Sequence, residues 1–347
     1  MNPINRRRWQ QFRANKRGYY ATLIFLVLFV TSLFAEFIAN DRPIVFSIDG
    51  QTYFPIWVSY SEKSLGGEFE TETHYLDPFF SELVKRHGWA LWPPFRFSYN
   101  TLDWNLAPPF PHPPDDEHWL GTDGGGTDVL VKLLYSFRLS VLFGLSLTII
   151  SCTIGITVGA LQGYFGGLID LIGQRLVEIW SGLPVLFILI ILASMVDSNI
   201  IWLLVILSLF SWMALVGVVR AEFLRARNFE FVRAARSLGL SDFTIMTRHV
   251  LPNAMVATLT YLPFILNSSI TTLTALDFLG FGLPLDAPSF GRLLSSAKAN
   301  LHAPWIGITT FCALASMLIL LIFIGEAIRD ALDPRKILLT DAAEPYG

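Results

Sequence analysis

Glu230, Arg233, Arg236 and Arg248 surround the alanine pair Ala234-Ala235, Gly239 interrupts the helix these residues favour, and His249, Leu251 and Pro252 follow on the return. Side chains of both charge signs around two small residues make a surface for holding another surface, not a reaction centre. The motifs of self-contained chemistry are missing. No Lys follows a Gly, so a phosphate-cradling Gly-Lys-Ser/Thr loop is excluded, and no His precedes a Glu, which excludes the His-Glu-x-x-His zinc helix. There is no Gly-x-Ser-x-Gly elbow and no dinucleotide fingerprint. The chain is therefore expected to be no enzyme, to bind no metal or cofactor, and to draw energy from elsewhere. Attachment to anionic lipid heads would also use the arginines, but it needs neither a glycine at a fixed place nor a return helix ending at Pro252.

A second polar set is made of hydroxyls and an amide. Thr260, Pro263, Asn267, Thr271 and Thr274 recur at three- and four-residue steps, with Ser268, Ser269 and Thr272 beside them. Such a stripe lines a water-filled path or hydrogen-bonds to neighbouring helices. With no isolated charge to mark an ion or proton site, a neutral path suits a peptide-like solute better than a proton relay.

The elements that must position these residues are membrane helices. Of 347 residues, 53% are hydrophobic and 15% charged, with the apolar residues in blocks. About 20 predominantly apolar residues cross a bilayer, and six segments qualify: 19–39, 138–164, 171–196, 200–221, 254–280 and 304–327. The first follows six Lys and Arg and lacks a small-x-small cleavage site, so it reads as an uncleaved anchor. Segments on the N-terminal side of the membrane hold sixteen of the twenty-five Lys and Arg, which predicts both termini in the cytoplasm. The net charge of -3 averages a basic inner and an acidic outer face, and nothing indicates nucleic-acid binding. Cys152 and Cys312 fall within predicted spans and read as small apolar residues.

Four blocks follow: a basic start with the first span (1–39), an insertion (40–137), five further spans (138–334) carrying the 222–252 loop, and a tail (335–347). In the insertion, Asp49-Gly50 between Val45–Ile48 and Gln51–Phe54 predicts a β-hairpin. Seven prolines from Pro93 to Pro114 predict extended chain beyond it. At about 95 residues the insertion is marginal as an independent domain, so it is expected to lean on neighbours. Ser151, Gly155, Gly159 and Gly163 repeat every four residues, which reads as tight helix packing. Arg175 and Glu178 read as an ion pair beside a kink at Pro184.

Residues 230–252 resemble the EAA loop of ABC importer permeases, which has Ala-Ala, Gly four residues later, and Leu-Pro about a dozen residues after that. Arg233 stands where that motif has Glu, and His249 where it has Ile; both departures look like the dipeptide and oligopeptide importer branch. Arg6 to Lys16, His118-Trp-Leu-Gly-Thr-Asp123, Asp128-Val-Leu and Asp330-Ala-Leu-Asp-Pro334 are similar to the same branch. Within it, Val219–Arg225, Thr271–Pro284 and the insertion look most like permeases for peptides and microcin C-like peptide conjugates. Gly124-Gly-Gly-Thr127 departs from the pattern by lacking an Arg before Asp128, which is expected to loosen that loop.

The resemblance implies an all-α polytopic membrane protein of the type I ABC importer permease fold, with six transmembrane helices and a periplasmic insertion. It implies a bacterial inner-membrane location and four kinds of partner: a homologous second permease, two ATPase domains (in one chain or two), a periplasmic substrate-binding protein, and the peptide substrate. ATP and Mg would bind at the partner ATPase. Glu230, Phe231, Arg233, Ala234, Ala235, Leu238, Gly239, Leu240, His249, Leu251 and Pro252 would form the ATPase-coupling site, with the alanines allowing close approach and Gly239 the reversal. Thr260, Asn267, Ser268, Thr271 and Thr274 would line the translocation path. The competing readings are a channel or carrier working without an ATPase, for which no inverted repeat with broken helices is evident, and a sensor binding ligand through the insertion.

Overall fold

The computed structural model describes residues 3–332 except 68, 104, 105 and 107, so Asp333, Pro334, Arg335, Lys336 and the 335–347 tail lie outside the described residues. It contains fourteen α-helices, a π-helical segment and a three-stranded sheet among the described residues. Four helices are long and apolar enough to cross a membrane, and two bent pairs bring the number to six if each pair is one span. The chain divides into two compact units, taken separately below.

The first unit comprises the described residues of Met1–Val27, Ser140–Leu285 and Leu314–Gly347. Its centre is the packing of α5 (Val129–Phe165) on α9 (Met213–Ala226). A Cβ on Gly155 would lie 2.6 Å from the Trp212 carbonyl oxygen, one on Gly159 2.8 Å from that of Val216, and one on Gly163 2.5 Å from that of Arg220. The four-residue repeat thus meets a four-residue repeat of carbonyls, as the tight-packing reading expects. Ser151 continues the row, its Oγ 2.5 Å from that of Ser211. Cys152, Leu215 and Ile265 then join α5 and α9 to α12 (Leu251–Phe278) in one apolar cluster. Cys312, by contrast, is exposed on α14 (Pro304–Leu332) rather than buried.

Two predicted spans are broken. Between α6 (Gly167–Ser181) and α7 (Val185–Ser194) the axis turns by 72° at the Pro184 site, where the ring removes a donor and disfavours helical backbone at Leu183. Arg175 and Glu178 pair at 2.5 Å just before it. Between α8 (Ile200–Ser211) and α9 the bend is 43°, with neither Pro nor Gly to announce it. There the indole N–H groups of Trp180 and Trp212 both donate to the Leu209 carbonyl, at 3.0 and 2.8 Å, occupying an acceptor beside the interrupted ladder. The break at Pro184 is the expected one, and the break at Trp212 is new.

The second unit comprises Leu28–Leu139 and Asp286–Ala313, apart from the undescribed residues. Asp49 (φ 50°) and Gly50 (φ 80°) make the expected turn between β1 (Val45–Ile48) and β2 (Gln51–Tyr53). The sequence reading missed α4 (Pro78–His87) and β3 (Gly88–Leu91), which pairs with the other edge of β1. Phe46, Ile48, Leu65, Tyr75 and Phe80 close a core of their own over this sheet. The fold class is as expected, helical with a small sheet in the insertion, where the predicted hairpin gains a third strand. Further links run through Tyr135, whose hydroxyl donates to the Ala39 carbonyl at 2.8 Å.

The loop before α5 is tied down, not loosened. The Asp123 carboxylate accepts from the Gly125 and Thr127 amides, and Lys132, one turn into α5, pairs with it at 2.5 Å in place of the missing arginine. Asp128 caps α5 by accepting from the Val131 amide. That cap explains why α5 starts at Val129 instead of 138: nothing breaks the helix there, and only Lys132 and Arg138 lowered its apolar signal. Its other carboxylate oxygen holds His118 Nδ1 at 2.8 Å, with Asp103 3.4 Å from Nε2. Burial pushes the His118 imidazolium down, but the Asp128 hydrogen bond and charge, with Asp103, outweigh it and raise its pKa above the ordinary value.

Two predictions follow from this packing. Gly159→Leu should destabilise the detergent-solubilised chain by about 1–3 kcal/mol through overpacking, whereas Gly217→Ala, where a Cβ would meet nothing within 4 Å, should leave the melting midpoint in place. Because the folded pKa of His118 lies above its unfolded value of 6.5, its stabilisation is complete below that value and lost as pH rises through the folded pKa. The melting midpoint should fall as pH rises above about 6.5, and His118→Gln should flatten that fall; an equal fall in both proteins would refute the assignment.

Candidate functional site

The 222–252 segment folds as a two-faced element between α9 and α12. After α9 ends at Ala226, α10 (Glu230–Ser237) begins with Phe229 as its N-cap. Gly239 then takes φ +77°, a left-handed turn that lets the Leu240 amide donate back to the Ala235 carbonyl. Ser241 caps α11 (Asp242–Thr244), accepting from the Thr244 amide. A π-helical segment, Ile245–Val250, leads into α12.

The sequence reading expected a return helix ending at Pro252; instead the return runs on from Asp242 to Phe278. In a regular α-helix, Pro252 would leave the Arg248 carbonyl without its donor. The π segment shifts the hydrogen-bond step immediately ahead of the proline, and Pro252 itself sits in the first turn of α12, where the missing N–H is tolerated.

One face points into the protein. Val232 and Ala235 of α10, with Ile245 and Val250, are buried against Phe223, Ala226, Tyr164 and Ala254. Ala235, expected to face a partner, instead seats α10 on its own chain, while Ala234 is exposed. Leu251 and His249 are half-buried and Pro252 is exposed. The residues predicted to couple to an ATPase thus fall into two groups.

The other face is open and apolar. Phe231, Leu238, Leu240 and Phe243 are 41%, 82%, 39% and 75% exposed, and the Phe229 ring packs 5.8 Å from that of Phe231. Around them, Glu230, Arg233 and Arg248 have no ion-pair partner among the described residues, whereas Arg225 is paired with Glu222 at 2.6 Å. A greasy patch rimmed by uncommitted charges has the composition of a binding surface.

Tyr164, near the end of α5, pins this element and was missed from the sequence. Its hydroxyl donates to Asp242 Oδ1 at 2.5 Å and accepts from Arg236 at 3.1 Å, with the guanidinium 5.5 Å above its ring. The signal was its place right after Gly163, and Ser241-Asp242 reads as a helix start. On the far side of α9, Arg220 grips Asp170 of α6 through two bonds of 2.5 and 2.7 Å.

The polar stripe divides in two. Thr260, Thr271 and Thr274 donate to carbonyls of their own helix, those of Ala257, Asn267 and Ile270. Asn267 buries Oδ1 without a partner among the described residues. A cavity of about 450 Å³ opens between α7, α8 and α12, lined by Phe210, Tyr261, Phe264, Ser268, Ser269 and Thr272 among others. Of the predicted path residues only Ser268 reaches it; Thr260, Asn267, Thr271 and Thr274 do not.

Residues 155–338 match the family described as "Binding-protein-dependent transport system inner membrane component". Over 336 residues the chain is 57% identical to the inner membrane ABC transporter permease protein YejE of Escherichia coli (strain K12), covering 97% of this chain and 98% of that one. It is 52% identical over 359 residues to the peptidoglycan transport system permease protein YejE of Agrobacterium fabrum, covering 96% and 94%. To the oligopeptide transport system permease protein OppC of Haemophilus influenzae it is 35% identical over 242 residues, covering 70% and 78%. A chain of the MetNI methionine ABC transporter in inward-facing conformations is similar, with TM-score 0.49 and 16% identity, over 58% of this chain and 96% of that one.

Tyr164→Phe should keep the ring in its core but cut the bridge between Arg236 and Asp242, at a cost of about 1 kcal/mol. Hydrogen exchange of amides 230–246 should quicken severalfold while α5 stays protected. Unchanged exchange there would show that the hydroxyl does not pin the loop.

Proposed function

Because the chain belongs to the family of binding-protein-dependent transport system inner membrane components, we propose that it is the permease subunit that carries peptides, microcin C-like conjugates included, across the bacterial inner membrane. As a family member it is a non-enzymatic transmembrane subunit of an ABC importer working with an ATPase and a substrate-binding protein. Our reading makes the partners specific: a YejB-like second permease, YejF-like ATPase domains that bind ATP and Mg, and a YejA-like periplasmic binding protein. Both termini would face the cytoplasm, which puts 222–252 on the ATPase side.

The observation that carries this reading is the two-faced 222–252 element. Its exposed Phe231, Leu238, Leu240 and Phe243 would enter a cleft of the ATPase, with Glu230, Arg233 and Arg248 meeting opposite charges at the rim. Closure of the ATPase domains would push on the open face. The buried face would pass the push to α9 and α12 through Phe223, Ile245 and Val250, and to α6 through the Arg220–Asp170 pair, opening the translocation path alternately to either side. Ala234 would allow close approach, and Ser268 with Ser269 and Thr272 would offer substrate a neutral wall.

A second substrate reading, peptidoglycan-derived material, is favoured by the name of the Agrobacterium relative. Uptake of labelled tripeptide and labelled muropeptide by cells carrying only this permease separates the two.

At Gly239 a Cβ would meet nothing within 4 Å, so a side chain there costs only the left-handed backbone, about 1–2 kcal/mol. Gly239→Asp should therefore insert normally yet lose peptide uptake. The tagged wild type should bring a P-loop ATPase and a second permease out of its native membrane, and Leu238→Glu should lose the ATPase alone. Full uptake by Gly239→Asp, or transport in vesicles by the isolated chain, would sink the docking role.

A further inference from the structure

The first span ends in a girdle of exposed aromatic rings. On α2 (Lys16–Leu33), Leu23, Val27 and Val30 lead to Phe34 at four- and three-residue steps, and all four side chains are exposed, as a lipid-facing stripe requires. The Phe34 ring lies 6.3 Å from that of Phe37 in α3 (Ala35–Ile38), Phe37 lies 5.7 Å from Trp57, and Trp57 lies 6.1 Å from Phe54. The stripe thus leaves the helix and continues on the turn after β2. Its depth follows from chain length. Lys16 and Arg17 open α2, and ~30 Å of hydrocarbon takes about 20 helical residues, which brings the far interface to the level of Phe37. Glu36, paired with Arg138 of α5 at 2.8 Å, marks the same level, since an ion pair belongs at the wet edge of a bilayer. Trp57 is held there by its packing on Phe37 and by Arg42, which donates to the Pro55 carbonyl at 3.5 Å.

A second tryptophan reaches this level by a separate route. The Phe95 amide donates to the Ile38 carbonyl and the Asn40 amide to the Phe95 carbonyl, both at 3.0 Å, and Trp119 stands edge-on to the Phe95 ring at 4.9 Å. Trp57 is 65% exposed and Trp119 62%, and Phe54 and Val58 beside Trp57 are exposed as well. On a surface bathed in water such a patch is a liability. At a headgroup boundary an indole keeps its apolar body among acyl chains and its N–H wet, which is why tryptophan concentrates there.

We propose that Trp57 and Trp119, with Phe34, Phe37 and Phe54, seat the insertion in the bilayer at the boundary of headgroups and acyl chains, where the first span emerges. The partner is the phospholipid surface itself, because the patch continues a lipid-facing stripe and lies level with the end of the span. The insertion then leans on lipid. This seat depends neither on which solute is carried nor on the 222–252 face, so its failure would leave the transport reading untouched.

The test is fluorescence of the full-length chain in phosphatidylcholine nanodiscs, with Cys152 and Cys312 replaced by alanine and an NBD label on a single new cysteine. Trp57→Cys and Trp119→Cys carry the label at the girdle, and Glu70→Cys is the aqueous reference, its carboxylate being exposed and paired at the surface with Lys63. Doxyl-labelled lipid should quench both girdle labels severalfold more strongly than the reference, and iodide should quench them severalfold more weakly. Both tryptophans are exposed, so replacing them leaves the packed core intact, and Phe54→Cys reads the same patch if a labelled variant fails to fold. Iodide quenching of either girdle label equal to that of the reference would overturn the proposal. So would shielding from both quenchers, which would mean that protein covers the girdle.

Discussion

In a bilayer two helices gain no hydrophobic free energy by touching, so what joins α5 to α9 has to come from how closely they approach. Gly155, Gly159 and Gly163 set that distance by leaving no Cβ between the backbone of one helix and the carbonyls of Trp212, Val216 and Arg220. Other contacts in this unit build on it. The row starts at the Ser151–Ser211 hydroxyl pair and ends where Tyr164 and Arg220 reach out to Asp242 and Asp170. A tightly seated α5 thereby places both anchors of the 222–252 element at once.

The element itself illustrates how a marginal piece of chain is kept ordered. A helix of eight residues does not persist alone in water. Here Val232 and Ala235 bury a narrow stripe, Tyr164 ties Arg236 to Asp242, and Gly239 absorbs a reversal that other residues would resist. Everything that stabilises α10 lies on one side. The apolar side chains left over, Phe231, Leu238 and Phe243, add nothing to the isolated chain and are explicable as half of an interface.

What could be read from the sequence divides along physical lines. Features with a local cause were legible: the Asp49-Gly50 hairpin, the glycine row, the bend at Pro184, the reversal at Gly239 and the Arg175–Glu178 pair. Features decided by distant partners were not. β3 is a four-residue strand that exists because β1 offers an edge, and the bend at Trp212 depends on an indole from α6. Ala235 looked equivalent to Ala234 until the core fixed which side of α10 turns inward. The hydroxyl stripe misled for a related reason: Thr260, Thr271 and Thr274 satisfy themselves on their own helix, so periodicity alone could not say what they face.

If the 222–252 loop passes motion on, as proposed, it must be stiff along the route and yielding at its ends. The route is stiff because Phe223, Ile245 and Val250 are close-packed, and such an interior shifts as a block rather than deforming. The ends are where the helical hydrogen-bond ladder is irregular: the bend between α8 and α9, and the π segment ahead of Pro252. Both sit where α9 and α12 could pivot without breaking buried contacts. Replacing Pro252 with alanine would remove the reason for the π segment and let a regular helix form through it, which on the proposed coupling would tie α12 to the loop more rigidly.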